Sequence, residues 1–294
     1  MRNEKKTVQN FYDSYGWEKN AAGDFNDTSD FVDTRPVMEA YSHRFAQRME
    51  KIIPPSGDIF MDAGCGPQVY DAYRKFSKNY RHRLCADIAF APLPLAKEAL
   101  GNHAICAQID VTQIPFADEA VDCILCAHVL YHVPADEQAK AIRELYRILK
   151  PGGRLIIIYS WPRSFMDRLG IHLNPRVILP KIPGMRWLWR TFFRKRVLGT
   201  DEAGDSGEQV NSSPMHPPLY FNPHPYSWFK HTFQDDPFTL QFRCCQAVGL
   251  PFSNAFVPNH WTGKLLLRFI AFLEDCFPRT MARLGTYPFI IIDK

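Results

Sequence analysis

The stretch IFMDAGCGPQVYDAYRKF, residues 59–76, has the most informative pattern in this chain. It begins with a short apolar run, turns at Gly64 and Gly66, and continues into a helix predicted near 67–78. A strand that ends in closely spaced glycines before a helix exposes backbone N–H groups at the start of that helix, where a ligand can touch them. The stretch therefore predicts a strand–turn–helix unit with a binding site at its turn.

Short apolar strands alternate with helical segments between residues 58 and 160. The clearest helix, ADEQAKAIRELYRILK, is stopped by Pro151-Gly152-Gly153, and the apolar RLIIIYS after it is typical of a strand buried on both faces. This alternation predicts parallel strands joined by right-handed crossovers, which is an α/β, doubly wound open sheet. Such sheets bind ligands at the carboxyl ends of their strands.

The composition suits a folded protein with a sizeable core. Of its 294 residues, 46% are apolar and 22% are charged, and the formal net charge of +4 does not by itself indicate a nucleic-acid partner. The charged N-terminus has no apolar h-region, so we expect no secretory signal, and no run reaches the roughly 18 apolar residues of a membrane span. These features predict a cytoplasmic protein.

The eight cysteines lie mostly in apolar, strand-like stretches, which predicts reduced, buried thiols. Cys123 and Cys126 form a CxxC pair within a predicted strand. Residues three apart on a strand point to opposite faces, so this pair is not expected to share a metal ion. No second CxxC accompanies it, and we predict no metal site.

Acidic residues stand beside the glycine turn and at the ends of the next two strands. Asp62 opens the turn, where a carboxylate would repel a pyrophosphate and suit an ammonium group. Asp87 ends the second strand, where a carboxylate can take both ribose hydroxyls, and Asp110 ends the third, within reach of an adenine amino group. Val69 replaces the third glycine of the dinucleotide pattern, which disfavours a nucleotide-linked oxidoreductase. An ammonium, a ribose and an adenine together describe S-adenosylmethionine (SAM).

The motifs over about residues 55–160 resemble the class I SAM-dependent methyltransferases of the ubiquinone/menaquinone-biosynthesis-like group, also called methyltransferase type 11. DAGCGP resembles motif I, CADIA the ribose-binding acid, QIDVTQIPFADEAVDCILCAHVLYHV the adenine loop and fourth strand, and ELYRILKPGGRLII the helix–turn–strand that follows. Gln68 departs from the family's third glycine, which tightens the room near the methionine end. The resemblance implies SAM as cofactor, held by Asp62, Ala63, Gly64, Cys65, Gly66, Asp87, Ile88, Asp110, Val111 and Ala127.

The resemblance also implies a mostly parallel, seven-stranded, Rossmann-like sheet with an antiparallel last strand, for which FTLQFRCC and YPFIIIDK supply the final pair. A long helix is predicted from about Gly263 to Leu284, with a bend at Pro278. The expected regions are N-terminal lid helices in 1–50, a SAM-binding core in 51–160, a cap insertion in 161–235 and completion of the sheet in 236–294.

Methyl transfer from SAM is an in-line displacement, so the protein mainly aligns the acceptor, excludes water and removes a proton from a hydroxyl acceptor. His132 and His128, with Tyr131 between them, follow the fourth strand and are the candidate catalytic residues. Either histidine can instead satisfy backbone groups or cap the next helix, so both interpretations stay open.

Candidate acceptor contacts come from both sides of the predicted core. FYDSYGWEKN and DTRPVMEAYSHRF resemble lid helices, whose aromatic residues either close over SAM or simply pack on the sheet. The cap segment FNPHPYSWFKHTF either lines the acceptor pocket or forms a surface loop and helix. The candidate substrate-binding residues are Tyr12, Trp17, His224 and Tyr226, and Tyr41 and Arg44 are further candidates to close over SAM.

The segment between residues 161 and 200 contains nine Lys or Arg and one acid, Asp167. Within it, MRWLWRTFFRKR mixes aromatic and basic residues, which suits a lipid headgroup region or a phosphorylated acceptor. The alternative is a solvated basic face whose aromatics pack inward. We therefore predict a peripheral contact of 181–196 with the inner membrane face as one option, and we expect no nucleic-acid partner.

The sequence leaves two functions open. In the first, the chain moves a methyl group from SAM to an oxygen, or to a carbon, of a small-molecule, glycan or lipid-linked acceptor. YDSYGWEK and the C-terminal tail also resemble methyltransferase-like proteins of bacterial polysaccharide gene clusters. In the second, the chain is a SAM-binding regulatory or degenerate module without turnover.

Overall fold

A computed structural model describes residues 1–174 and 216–294. The strands of its sheet are β1 Gly57–Ala63, β2 Tyr80–Asp87, β3 Ala104–Gln108, β4 Val121–Ala127, β5 Leu149–Ile158, β6 Gln241–Gln246 and β7 Tyr287–Asp293. Their order is β3-β2-β1-β4-β5-β7-β6, and β7 pairs antiparallel with both β5 and β6. The predicted doubly wound, seven-stranded sheet with one antiparallel strand is therefore confirmed.

The helices flank this sheet or precede it. Within the described residues the α-helices are α1 Asn3–Phe11, α2 Asn26–Phe31, α3 Glu39–Ile52, α4 Asp71–Lys75, α5 Pro92–Leu100, α6 Gln138–Ile148, α7 Phe165–His172, α8 Tyr226–Thr232, α9 Leu250–Phe256, α10 Trp261–Cys276 and α11 Pro278–Leu284, with a π-helical turn at Tyr12–Gly16. The break between α10 and α11 confirms the predicted bend at Pro278, whose ring cannot continue the preceding helix.

The two faces of the sheet bury separate apolar clusters. One cluster contains Cys126, Ile124 and the inward residues of α6, among them Ile142 and Leu145. The other contains Cys123 and the inward residues of α3. Cys123 and Cys126 therefore point to opposite faces, as their spacing on a strand predicts.

Two expectations about local structure are corrected. The helix after the glycine turn is confined to α4, because the backbone at Gly64, Gly66 and Gln68 has positive φ and delays regular helix. Tyr41 and Arg44, expected over SAM, instead contact α10. Their helix, α3, packs on the sheet through Met49 and Ile52.

The predicted cap falls only partly within the described residues. Its described parts are residues 161–174, which include α7, and residues 216–235, which include α8. The segment 181–196, for which a membrane contact is predicted, lies outside the described residues. In the parts that are described, no helix has both the length and the hydrophobicity needed to cross a membrane.

Candidate active site

The turn after β1 has the backbone shape that its glycines predict. Gly64 and Gly66 have φ of 78° and 52°, in the left-handed region that favours glycine. The Gly64 and Cys65 N–H groups both donate to the carbonyl oxygen of Ala86, at 2.7 and 3.0 Å. These bonds hold the turn against the end of β2, beside the carboxylate of Asp87.

Asp87 is 8% exposed and is held by backbone on both oxygens. Its Oδ2 accepts from the Gly66 N–H at 3.1 Å, and its Oδ1 accepts from the Ala89 N–H at 3.0 Å. Burial raises the pKa of Asp87 to about 6, although these backbone donors act in the opposite direction. An ionised carboxylate has about four acceptor positions, so two further hydrogen bonds from ribose hydroxyls remain possible.

Asp62 pairs with a buried arginine that the sequence did not point to. Arg83, fully buried on β2, forms an ion pair with Asp62 Oδ2, and Gln68 Nε2 donates to the same oxygen at 2.7 Å. Gln68 thus uses its amide to hold the acid that opens the turn. A ligand ammonium would have to share Asp62 with Arg83, so the predicted ammonium contact stays a prediction.

Asp110 is engaged by the N-terminal helix. Lys5 Nζ donates to Asp110 Oδ2 at 2.8 Å and to Thr112 Oγ1 at 2.6 Å, and it also forms an ion pair with Glu137. Burial acts to raise the pKa of Asp110, but the hydrogen bonds from Lys5 and Thr112 outweigh it and hold that pKa below its usual range. An adenine amino group would compete with Lys5, and this predicted contact also stays a prediction.

Residues 3–31, which we call the N-terminal lid, cover the site. Asp13 Oδ1 accepts from the Phe90 and Ala91 N–H groups at 2.7 and 2.9 Å, so the lid is fastened to the loop before α5. Tyr12 and Trp17 stack with ring centroids 5.3 Å apart. These contacts place the two predicted lid aromatics beside the glycine turn.

Trp17 and Val129 occupy the space next to the glycines. A Cβ added to Gly66 would lie 3.1 Å from Trp17 Cζ2, and one added to Gly64 would overlap Val129 Cγ2. The sequence predicts a hollow shaped around a ligand, whereas the structure has these side chains lying against the turn. A ligand that touches Gly66 therefore requires Trp17 to move.

His132 has the hydrogen-bond arrangement of a fixed neutral imidazole. Its Nδ1 lies 2.6 Å from the carbonyl oxygen of Tyr220, which can only accept, so Nδ1 carries the proton. Burial lowers the pKa of His132 to about 4, against the opposite effect of the Tyr220 carbonyl. The Nε2 lone pair has no hydrogen-bond partner in the described part of the chain, and the Tyr12 ring stands edge-on 6.0 Å away.

His128 directly follows β4 and is exposed. It has φ of 62°, an uncommon conformation for a residue with a side chain. Its Nδ1 lies 2.9 Å from the hydroxyl of Tyr131, and its ring meets the ring of Tyr287 edge-on at 5.4 Å. Surrounding protein lowers the pKa of His128 to about 4, with a further contribution from His132, although part of its surface stays open to solvent.

A short segment after the undescribed part of the cap, residues 220–224, positions His132. We call this segment the strap. The Asn222 N–H donates to the carbonyl oxygen of Tyr131 at 2.8 Å, and Gln138 Nε2 donates to that of Asn222 at 2.8 Å. Gln138 is fully buried, and its Oε1 accepts from the Tyr159 hydroxyl at 2.8 Å. Because these bonds fix the strap, they also fix the carbonyl that orients His132.

The two cap candidates make packing contacts. His224 Nε2 donates to the carbonyl oxygen of Ala135 at 2.9 Å, and the ring stacks on Trp228 at 3.9 Å. Tyr226 packs on Phe242 at 4.8 Å and lies under the guanidinium of Arg283 at 5.0 Å. Their predicted contact with an acceptor is not tested by these interactions.

The other predicted cofactor residues lie at or near the carboxyl ends of the strands. Ala63 and Ala127 are the last residues of β1 and β4, Ile88 follows β2, and Val111 follows Asp110. Cys65 lies in the turn itself and packs with Cys85 in a small apolar cluster. Their contacts with SAM stay predictions.

The residues that the sequence did not point to are Arg83, Lys5, Gln138 and Tyr220. Arg83 had a usable signal, since a charged residue within an apolar strand needs a buried partner. Lys5 and Tyr220 had none, because their partners Asp110 and His132 are 105 and 88 residues away along the chain.

The comparison with protein families agrees with this geometry. Residues 61–157 match the family model described as a methyltransferase domain. The match runs from β1 to near the end of β5 and includes the glycine turn, Asp87 and His132. This part of the chain is a class I SAM-dependent methyltransferase domain, and SAM is the cofactor of that class.

One curated relative is similar to this chain in sequence, and two solved structures are similar to it in fold. "Probable methyltransferase ltbC" of Aspergillus luteorubrus is 29% identical over 176 residues, which are 55% of this chain and 55% of the relative, so the chain matches about half of that protein's length. Geranyl diphosphate C-methyltransferase from Streptomyces coelicolor A3(2) superposes with a TM-score of 0.53, 16% identity and coverage of 99% and 98% of the two chains. A chain of the complex containing the Haloferax volcanii methyltransferase activator Trm112 superposes with a TM-score of 0.51, 16% identity and coverage of 87% and 91%. At these identities the two structures show the shared fold alone.

The chemistry of the site fits SAM, provided that Trp17 of the lid moves. Asp87 offers acceptor positions at the end of β2, and the glycines of the turn leave backbone free of side chains. Trp17 Nε1 and Gln68 Oε1 are buried and have no hydrogen-bond partner among the described residues, so a ligand with donor and acceptor groups would satisfy them. The chain thus has the residues to hold SAM once Trp17 has moved from Gly66.

Proposed function

We propose that this chain is a SAM-dependent methyltransferase that methylates an oxygen of a small-molecule, glycan or lipid-linked acceptor. The observation that carries the proposal is His132, which burial keeps neutral while the Tyr220 carbonyl holds the proton on Nδ1, so that Nε2, without a partner in the described part of the chain, can act as a base. The methyltransferase domain and the acidic residue at the end of β2 support SAM as the methyl donor.

Bound SAM supplies a methyl group already activated on a sulfonium. The protein then has to bring the acceptor hydroxyl into line with that methyl and accept the hydroxyl proton. His132 Nε2 is the proposed proton acceptor, because its Nδ1–H is committed to Tyr220 and the ring cannot turn without losing that bond. The aromatic rings of Tyr12 and Tyr131, which meet the His132 ring edge-on at 6.0 and 4.6 Å, would exclude water around it.

The acceptor class is less constrained than the reaction. A carbon acceptor is the alternative to oxygen, and the Streptomyces coelicolor neighbour is a C-methyltransferase of geranyl diphosphate. A carbon acceptor would need no proton removed before attack, so activity that does not depend on His132 would favour it. His224 and Tyr226, with Tyr12 and Trp17, stay the proposed acceptor contacts.

The basic and aromatic segment 181–196 supports a peripheral contact with an anionic membrane surface on the cytoplasmic side. Its support is the sequence alone, namely the mixture of Arg, Lys, Trp and Phe in MRWLWRTFFRKR. The same chemistry would suit a phosphorylated, lipid-linked acceptor. Binding to vesicles that lack any acceptor would favour the membrane over the acceptor.

A second function, a SAM-binding regulatory or degenerate module, is favoured by one observation. Trp17 lies over Gly66 and Val129 lies against Gly64, so the space that SAM needs is taken by the protein itself. If this arrangement persisted in solution, the chain would bind SAM weakly or not at all.

Calorimetry with SAM, followed by detection of S-adenosylhomocysteine on a panel of hydroxylated acceptors, separates the two functions. Saturable SAM binding and acceptor-dependent product would support the enzyme. Binding without product on any acceptor would favour the regulatory module, and no binding at all would contradict both.

A further inference from the structure

Helix α10 exposes a line of large apolar side chains. Trp261, Leu265, Phe269 and Phe272 follow the spacing i, i+4, i+8 and i+11, which places them on one face, and they are 68%, 51%, 58% and 58% exposed. Phe277 continues the line at the bend, and we call these five residues the α10 stripe. The opposite face of the helix is buried through Gly263, Leu267, Ile270, Ala271 and Glu274.

The side chains of the stripe are not needed to pack α10 against the rest of the protein. The buried face packs the helix against α3, through contacts such as Tyr41 with Glu274. Single exposed apolar residues are common on protein surfaces, but a contiguous row of aromatic and leucine side chains marks a surface that binds something apolar.

Cationic side chains border the stripe. Lys264 and Arg268 are exposed on α10, and Arg279 is exposed on α11. None of the three has an ion-pair partner in the described part of the chain. The one exposed acid of α10, Asp275, is already paired with Arg44 and Arg48.

A recess of about 300 Å³ lies at the N-terminal end of the stripe, lined in part by Trp261 and Lys264. An aromatic ring beside an ammonium at the mouth of a recess suits an anionic headgroup, which the ammonium can pair with while the ring lies among acyl chains. The recess at the end of the stripe therefore has the residues to bind one lipid headgroup.

We infer that the α10 stripe is a membrane-docking surface for anionic phospholipid. Its Trp, Phe and Leu side chains would enter the headgroup–acyl boundary, while Lys264, Arg268 and Arg279 would lie at the level of the phosphates. A second copy of the chain fits less well, because a two-fold contact across the stripe would bring these cations together, and the one exposed acid of α10 is already paired. The proposal concerns α10 and does not rest on the methyltransferase activity.

Co-sedimentation of the full chain with vesicles tests it. Vesicles of phosphatidylcholine with 30% phosphatidylserine are compared with pure phosphatidylcholine at 50 and 500 mM salt. We expect binding to the anionic vesicles that falls at least tenfold at high salt. We also expect the neutral double substitution Phe269→Gln/Phe272→Gln to reduce the partition coefficient at least tenfold at low salt.

The matched control is Ile105→Gln, which removes an equally exposed apolar residue from β3, at the opposite edge of the sheet from β6. It should bind vesicles as the unsubstituted chain does, and thermal unfolding should verify that all variants are folded.

No binding of the unsubstituted chain at low salt would overturn the proposal. Binding that survives the double substitution would also overturn it, and its loss in Trp187→Gln/Trp189→Gln would then assign the contact to 181–196. A dimer by light scattering that the double substitution dissociates would assign the stripe to self-association instead.

Discussion

A single buried guanidinium sets the charge balance beneath the glycine turn. Arg83 is fully buried, pairs with Asp62, donates to the carbonyl oxygen of Tyr73 at 2.6 Å and lies over the ring of Phe60 at 5.3 Å. Removing one partner of a buried ion pair leaves the other charge uncompensated, which typically costs about 3–5 kcal/mol. Asp62 therefore supports the turn structurally, whether or not it also contacts SAM.

Asp87 is the residue on which cofactor affinity should depend most directly. We expect Asp87→Ala to weaken SAM binding about 10- to 100-fold, because hydrogen bonds from neutral donors to a carboxylate are worth roughly 1.5–3 kcal/mol. Isothermal titration calorimetry measures the effect. Asp58→Ala, at the exposed start of β1, serves as the matched control. Equal affinities for Asp87→Ala and the unsubstituted chain would remove the ribose assignment.

His132 should affect turnover and leave cofactor affinity unchanged. Replacement by Gln keeps a donor for the Tyr220 carbonyl but removes the base, so we expect turnover of a hydroxyl acceptor to fall about 10²- to 10⁴-fold. His231→Gln is the control, because His231 also bonds a backbone carbonyl, that of Ser227 at 2.7 Å, but is exposed on α8. Full activity of His132→Gln would give His132 a structural role.

We expect the decline of activity at low pH to report the protonation of His132. Because the pKa of His132 is lowered to about 4, the neutral base should persist well below the usual histidine range. The turnover number at saturating acceptor should therefore stay constant down to about pH 5 and decline at lower pH. A limb near pH 6.5 would mean that His132 is solvated in the working enzyme or is not the base.

At the scale of elements, the N-terminal lid lies against the glycine turn. It is fastened at two places, through Lys5 to Asp110 and through Asp13 to the start of α5. Trp17, between the second fastening and α2, is the side chain that touches the turn. A binding-competent state then requires a local movement of Trp17 and leaves the sheet as it is.

Removing the indole should speed the entry of SAM. We expect Trp17→Ala to raise the association rate constant several-fold, because fewer molecules then have to open before binding. Stopped-flow fluorescence measures the rate, and Trp261→Ala, on the exposed face of α10, is the control. An unchanged association rate would show that Trp17 is already displaced in solution.

At the scale of the whole molecule, titratable groups of the site and the lid oppose one another in their effect on stability. His128 and His132 have pKa values lowered to about 4, so their neutral forms stabilise the fold above about pH 6.5 and this contribution is lost as pH falls toward 4. Asp27 and Asp87 have pKa values raised to about 6, so their contribution is present below about pH 4 and is lost as pH rises through 6. The two pairs act in the same window with opposite sign, which predicts a nearly level stability curve between pH 4 and 6.5.

Removing one of the acids should make the free energy of unfolding depend more strongly on pH. Asp27→Asn, in the lid helix α2, should raise the free energy of unfolding at pH 8 by about 1 kcal/mol after allowance for partial exposure, and by less at pH 4. Urea unfolding at both pH values gives the comparison, and the exposed Asp24→Asn is the control. Equal gains at both pH values would contradict the assignment of the effect to the charge of Asp27.

The antiparallel last strand was implied only by the family resemblance. Residue patterns themselves predicted the parallel strands, the glycine turn, the place of Asp87 and the bend at Pro278. These features follow from local rules, namely residue periodicity, the φ freedom of glycine, the restraint of proline and a motif contained within about a hundred residues. Four contacts became visible only in the folded chain: Arg83 pairs with Asp62, Lys5 pairs with Asp110, Trp17 covers Gly66 and Tyr220 fixes the tautomer of His132. Each of these last contacts joins side chains of different elements, so it depends on how lid, strap and sheet pack in three dimensions, which residue spacing along the chain does not encode.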